Sequence, residues 1–349
     1  MPERAAPHVP LAPTRGSSTV PRRFDAIVMA GDRGAARPVK GINKVLLEIQ
    51  GVPLLFYVVS ALERSRYVSR IFIVGPKQKI EEAIRTRPSS FQWHKPVFVL
   101  EQWNSLLENA WNTFLATLDG EVDDRPFRED GLRSRYGDRV ALVVGADIPL
   151  VTPYEVDEFV EGCNLEEYDL IVGMTSEEVL KAYYPHGERP GIRLAYFVFK
   201  DSLERQNNLH MIRFFRIINK EYAEKMYRYR YQRNWRNIVR LGLEILRMPE
   251  MTSAILFRFF LLHCARVLDG IGLHWICRVV SRFLEKATLE KDIARLLKVR
   301  FASVVTHYGG AALDVDNEEH FRAMEANFER WKRLQEELSL VRVKGDPRA

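Results

Sequence analysis

FDAIVMAGDRGAARPVKGINKVLLEIQGVPLL occupies residues 24–55, and its punctuation decides the fold. The apolar run Ile27-Val28-Met29 stops at Ala30-Gly31, and a loop of small and basic residues follows from Asp32 to Gly41. A short apolar run bounded by turn residues predicts a buried strand. Glycine after such a strand lets the backbone approach a ligand closely, because no Cβ stands in the way. Arg33, Arg37, Lys40 and Lys44 add positive charge to this loop. Backbone N–H groups and clustered cations together suit a polyphosphate. An ordinary strand-to-helix turn with solvated basic residues would use the same composition, so the loop alone leaves both readings open.

Further strands are expected at Ile71–Val74, Pro96–Leu100, Val140–Val144, Asp169–Met174 and Phe301–Val305, with helical spacing between most of them. Such alternation argues for an α/β fold with a largely parallel sheet and ligands at the carboxyl ends of its strands. Between residues 184 and 212 the pattern predicts a strand at Arg193–Phe199, then a polar turn, then Asn208-Leu209-His210-Met211. Residues 121–138 are charged and aperiodic, which predicts an exposed loop.

Local chemistry marks several positions. Ser105 with Glu108 three residues on has the form of a capping box, with Asn109 just beyond. Gly145-Ala146-Asp147-Ile148-Pro149-Leu150 follows the apolar run 140–144. The nearby helix already has a cap in Thr152 and a proline at its first position in Pro153, so Asp147 is spare. Near the C-terminus, Asp314 and Asp316 alternate with Leu313 and Val315, which places both carboxylates on one side of an extended segment. The alternative there is that Asp316 caps the following helix.

The totals narrow the class. The chain has 349 residues, 46% of them hydrophobic, enough for a substantial core. Its three cysteines, Cys163, Cys264 and Cys277, lack metal-ligand spacing and cannot form a full disulfide set, which suits a reducing compartment and a cytoplasmic location. Residues 1–23 read as a tail without a signal-peptide core, and no run is long and apolar enough for a conventional membrane span. The formal charge of +6 is uneven: residues 211–300 hold 19 Lys/Arg against 8 Asp/Glu. That segment has helical periodicity with aromatic bulk beside arginines. It suits either packed helices or peripheral contact with an anionic membrane. No nucleic-acid-binding module is recognisable, so none is expected as a partner.

The loop resembles the signature of the nucleotidyltransferases related to molybdenum cofactor guanylyltransferase and to sugar- and polyol-phosphate cytidylyltransferases. Met29-Ala30-Gly31, Gly34, Arg37, Lys44-Val45-Leu46-Leu47 and Gly51-Val52-Pro53-Leu54 fill the places of that signature. Asp32 departs from it, standing where a second glycine is usual, and the turn before Arg37 is one residue longer. An aspartate in a phosphate cradle is electrostatically unhelpful.

The resemblance implies a Rossmann-like, three-layer nucleotidyltransferase fold of the GT-A type. Its sheet would be mixed and mostly parallel, built from residues 24–210 and 301–338. The basic helical segment 211–300 falls outside the resemblance and reads as an insertion, and 339–349 reads as a C-terminal tail. The resemblance implies Lys44 and Arg37 as catalytic residues, and Ala30, Gly31, Arg33, Gly34, Ser105 and Asn109 around the nucleotide. Asp147, Asp314 and Asp316 would hold Mg²⁺, while Asn208 and Arg193, with Arg189 and Lys200 near them, would meet the acceptor. The implied reaction transfers a nucleoside monophosphate from a nucleoside triphosphate to a phosphorylated small-molecule acceptor, releasing pyrophosphate. Two other readings stay open. One is a non-catalytic nucleotide-binding protein that docks on a membrane. The other is a glycosyltransferase of related fold, although Gly145-Ala146-Asp147 lacks the first acid of its usual Asp-x-Asp.

Overall fold

The computed structural model describes residues 22–32, 43–118, 131–220 and 250–345. The opening apolar run is strand β1 (Phe24–Met29). A hairpin of β2 (Glu48–Ile49) and β3 (Val52–Pro53) turns through Gln50 and Gly51 at φ 56° and 72°, the left-handed conformation that tight two-residue hairpins demand. Then come α1 (Leu54–Arg64), β4 (Val68–Gly75), α2 (Lys77–Arg85), β5 (Val97–Glu101) and α3 (Leu106–Leu118). The chain continues through α4 (Leu132–Tyr136), β6 (Ala141–Gly145), α5 (Pro153–Gly162), β7 (Leu170–Ser176) and α6 (Glu177–Leu180). Two strands follow, β8 (Phe197–Val198) and β9 (Leu203–Ile212). Beyond residue 250 lie α7 (Ser253–Gly270), α8 (His274–Ser281), α9 (Lys286–Leu297), β10 (Phe301–Thr306) and α10 (Glu318–Gly345).

The main sheet runs β10-β7-β9-β6-β1-β4-β5, with β8 attached to β9. Strands β6, β1, β4 and β5 are mutually parallel, as are β7 and β10, and β9 lies antiparallel between β6 and β7. Side-chain alternation splits β1 between two layers. Ala26 and Val28 pack with α1 and α5 on one face, and Ile27 packs with α3 on the other. Covering both faces explains why the strand reads as one continuous apolar run. On the second face Phe114 of α3 stacks on Phe214 at 4.6 Å and meets Phe215 edge-on at 5.5 Å. Helix α10 closes a third cluster, with Phe328 and Trp331 against Leu150, Tyr183 and Leu313. This is the mixed, mostly parallel α/β three-layer architecture.

Several sequence expectations are corrected. The polar turn expected before Asn208 is instead the first half of β9, a ten-residue strand at the centre of the sheet. The strand expected at 193–199 is reduced to Phe197–Val198. The apolar signal failed because the polar residues of β9 are buried with partners, which removes the usual penalty. Glu204 accepts from Lys286 Nζ at 2.6 Å, and the Asn207 side-chain amide donates to both Thr175 and Thr306 at 3.2 Å. Gly173 makes room for Asn207: a Cβ there would come within 2.0 Å of its Oδ1. The basic insertion expected from residue 211 therefore starts inside a strand, since β9 runs to Ile212. The loop expected at 121–138 contains α4, residues 119–130 lying outside the described part. Helix α10 runs on to Gly345, through the tail expected from 339. Residues 221–249 of the basic segment lie outside the described residues.

A buried polar seam joins the carboxyl ends of β7 and β10 and the middle of β9 to the segment that follows β10. Thr306 bonds Thr175 and Asn207, and it approaches Glu155 Oε1 at 3.5 Å. The other oxygen of Glu155 accepts from Ala311 N at 2.9 Å. Glu155 is fully buried, and burial pushes its carboxyl up to about 8, against the opposing pull of hydrogen bonds from Ala311, Thr306 and Gly310. The folded protein therefore binds a proton there that the unfolded chain releases near pH 4.5. Stability contributed by this neutral group is full below that value and is lost as pH rises through about 8. Urea unfolding at pH 5 and pH 8 should show a larger loss for the wild type than for Glu155→Gln. Equal losses would contradict a neutral Glu155.

Candidate functional site

The carboxyl ends of β1, β6 and β10 converge on one place. Ala30 N donates to Val74 O at 2.8 Å and Ala146 N to Met29 O at 3.2 Å, so Ala30-Gly31 sits between the β4 and β6 ends. Gly31 is closely approached: a Cβ there would lie 2.9 Å from Asn109 Nδ2 and 3.3 Å from Gln102 Oε1. Asp32, the departure from the signature, is clasped by Gln102. Its backbone N–H donates to Gln102 Oε1 at 2.8 Å, and its carboxylate accepts from Gln102 Nε2. Arg33, Gly34 and Arg37 lie outside the described residues.

Where the chain resumes, Asn43 Nδ2 donates to Ala30 O at 3.4 Å, and Lys44 opens a 3-10 turn. The Lys44 ammonium contacts the Asp147 carboxylate and lies 3.2 Å from Asp316 Oδ1. Asp147 follows β6 by two residues, and its carbonyl accepts from Val315 N at 3.0 Å. That bond places the Asp314–Asp316 segment directly against Asp147. Gly310 permits the approach: a Cβ there would come within 2.2 Å of Leu150 O. Helix α10 is capped by Asn317, whose Oδ1 accepts from His320 N at 2.8 Å. Asp316 is therefore released from the capping duty that the sequence left open.

Asp314 is held differently. Arg205 of β9 donates to its carboxylate at 2.7 Å and to Ala312 O at 3.2 Å. Asn208, on the same strand, donates to Ala311 O at 3.1 Å and lies against Gly145, where a Cβ would come within 3.1 Å of it. The structure thus brings Lys44, Asp147, Asp314, Asp316 and Asn208 together around one loop junction. Arg193 is exposed in the segment between α6 and β8, and makes no contact with these groups among the described residues. Ser105 and Glu108 form a capping box on α3: Glu108 N donates to Ser105 Oγ, and Ser105 N to Glu108 Oε2. Asn109 is buried, accepts from Trp103 N and stands against Gly31, whereas Ser105 serves as the cap of α3.

Charge balance dominates this cluster. Burial would discharge Lys44, but Asp147, Asp316 and Asp314 outweigh it and hold the ammonium above its ordinary value. Burial also opposes ionisation of Asp314, yet Arg205, a hydrogen bond from Asp316 and Lys44 bring its carboxyl down to about 2. Asp316 is pushed up, first by burial and then by the charge of Asp314. Among the described residues of this cluster, two cations are set against three carboxylates. The donor set of Asp147 and Asp316 suits a hard divalent cation, which takes one or two carboxylates and completes its shell with phosphates and water. Among the described residues no three His, Cys, Asp or Glu side chains are grouped to hold a metal by themselves, and Asp314 is engaged by Arg205.

Sequence reading missed Arg205, Gln102 and Gly310. Arg205 and Gln102 lie among polar residues whose strand or loop neighbours give no local cue. Gly310 carried a signal, the pair Gly309-Gly310 just before the two aspartates, which marks a close backbone approach.

A relative, the 2-C-methyl-D-erythritol 4-phosphate cytidylyltransferase of Caldanaerobacter subterraneus subsp. tengcongensis, is 29% identical over 76 residues, 22% of this chain and 33% of its own length. The chain thus matches about a third of that relative. A hypothetical transferase from Thermus thermophilus superposes with a TM-score of 0.47 at 21% identity, covering 85% of this chain and 99% of its own. The 4-diphosphocytidyl-2C-methyl-D-erythritol synthase of Anaerococcus prevotii gives 0.42 at 9% identity, covering 88% and 98%. Residues 26–244, more than half of the 349, match the family described as the MobA-like NTP transferase domain, and the chain belongs to that family.

Proposed function

We propose that this chain transfers a nucleoside monophosphate from a nucleoside triphosphate to a phosphorylated small-molecule acceptor, releasing pyrophosphate, and that it requires Mg²⁺. The observation that carries the reading is Lys44 seated between Asp147 and Asp316 beside the Ala30-Gly31 loop. The cytidylyltransferase name of the sequence relative favours CTP as donor and a phosphorylated polyol as acceptor. Three cysteines, none of them in a disulfide, suit a cytoplasmic setting.

An acceptor phosphate oxygen attacks the α-phosphorus in line. The new P–O bond forms as the bridge to the β-phosphorus breaks, and pyrophosphate leaves with the electron pair. Such chemistry rests on positioning and electrostatics and needs no nucleophilic side chain. Ala30-Gly31 lets the backbone approach the triphosphate. Lys44 supplies fixed positive charge at the α-phosphate, kept ionised by the surrounding carboxylates. Asp147 and Asp316 would hold Mg²⁺, whose charge offsets that of the phosphates when it is bound. The sequence also offers Arg33 and Arg37, with Gly34 between them, as cations for the donor, and Asn208 would meet the acceptor. Arg205 fixes Asp314 and, through Ala312 O, the closing segment.

Pyrophosphate release from CTP with a panel of phosphorylated polyols should fall by about 10²-fold or more in Asp147→Asn and in Lys44→Ala, the scale for losing one fixed charge in such a site. Far-UV circular dichroism should stay unchanged, and undiminished turnover in either variant would end the assignment. EDTA should abolish release, and added Mg²⁺ should restore it; turnover that persists in EDTA would remove the metal from the proposal. Arg205→Ala leaves the Asp314 carboxylate buried without its cation, and should cost about 3–5 kcal/mol of stability by urea unfolding. A loss below about 1 kcal/mol would show that the pair is not coupled.

A further inference from the structure

Helices α7 and α8 expose more apolar surface than their packing uses. Their inner side is occupied: Ala265, Cys277 and Leu284 are buried with Val198 of β8. On the outer side of α7, Phe257, Phe260, Val267 and Ile271 are 55–63% exposed, and their spacing puts them on one helical stripe. Trp275 of α8 and Phe283 just after it are exposed by 66% and 63%. Isolated exposed apolar residues need no explanation, but two adjacent stripes of large ones form a contact surface.

The charge on the same helices is one-sided. Residues 253–283 contain Arg258, Arg266, Arg278 and Arg282 against the single acid Asp269. Arg258 is taken by Asp292, with bonds of 2.6 and 2.7 Å. Arg266, Arg278 and Arg282 are exposed and make no ion pair with a carboxylate among the described residues. A second copy of the chain would bring like charges together, and a purely apolar partner would leave these guanidinium groups facing nothing. A plane of anionic headgroups over acyl chains satisfies both features. Aromatic side chains, tryptophan above all, settle at that boundary. No described helix is long and apolar enough to cross a membrane.

We propose that α7 and α8 form a docking face for an anionic lipid bilayer. Phe257, Phe260, Val267, Ile271, Trp275 and Phe283 enter the headgroup–acyl boundary, and Arg266, Arg278 and Arg282 meet lipid phosphates. This proposal is independent of the nucleotidyl-transfer reading.

Flotation of the full chain with vesicles tests it. The protein should float with vesicles of phosphatidylcholine mixed with phosphatidylglycerol, and at least about tenfold less with phosphatidylcholine alone. Binding to the mixed vesicles should fall by a similar factor in Trp275→Ser and in Arg278→Gln/Arg282→Gln. The second variant leaves every apolar contact in place, so it reports the charge effect even if the first perturbs folding. No flotation of the wild type, or equal flotation with both vesicles, overturns the proposal. So does sedimentation as a dimer that Trp275→Ser dissociates, which would give the face to a second copy.

Discussion

One ammonium group ties the two ends of this domain together. Lys44 comes from the loop after the first strand, while Asp316 lies 272 residues later, after the last. Asp147 supplies the third corner from the middle of the sheet. A lysine that is mostly buried stays charged only if opposite charges offset its lost hydration, and the three aspartates do so. The dependence is mutual, because carboxylates packed this closely repel one another unless a cation stands between them. The junction is thus specified by charge more than by shape. Apolar packing brings the strand ends near, and the salt bridges set which side chains meet.

Strand β9 converts that junction into a supported site. It runs antiparallel between β6 and β7, so its residues reach loops at the carboxyl ends of parallel strands from the opposite direction. Arg205 and Asn208 each bond a carbonyl of the 311–312 turn, and Arg205 also holds Asp314. Glu155 reaches the same turn from α5 and accepts from Ala311 N. Three side chains from two elements therefore fix one short segment, which presents Asp314 and Asp316. Gly310 allows the segment to lie on the Asp147 loop without a Cβ in between.

Much of this was legible in the sequence, and the rest was hidden for a definite reason. The doubly covered strands announced themselves as apolar runs, since burial on both faces leaves no polar alternation. The caps at Ser105 and Thr152 followed from local chemistry, and both are present in the structure. Lys44 and Asp147 stood out at the edges of apolar runs, and Asp314 and Asp316 by alternating with Leu313 and Val315. Strand β9 escaped because its polar residues are satisfied by groups far away in sequence: Lys286 for Glu204, Thr306 for Asn207, Asp314 for Arg205. Periodicity reports burial of apolar side chains. It is blind to burial of polar ones whose partners are brought by the tertiary fold. Arg193, marked by the same polar stretch, lies instead in an exposed segment.

The same strand also joins the site to the helical layer. Successive side chains on a strand point to opposite faces. Glu204 turns toward α9, where Lys286 donates to it, and Arg205 turns toward the closing segment and Asp314. Lys200 N further binds Leu284 O, pinning the β8–β9 connection to the end of the α7–α8 pair. A displacement of those helices would pull on Glu204 and Lys200, and through one peptide unit on Arg205. Both ion pairs on β9 have little exposed surface, so neither is readily exchanged for water. The helices that carry the exposed aromatic face are therefore mechanically continuous with the carboxylate cluster rather than appended to it.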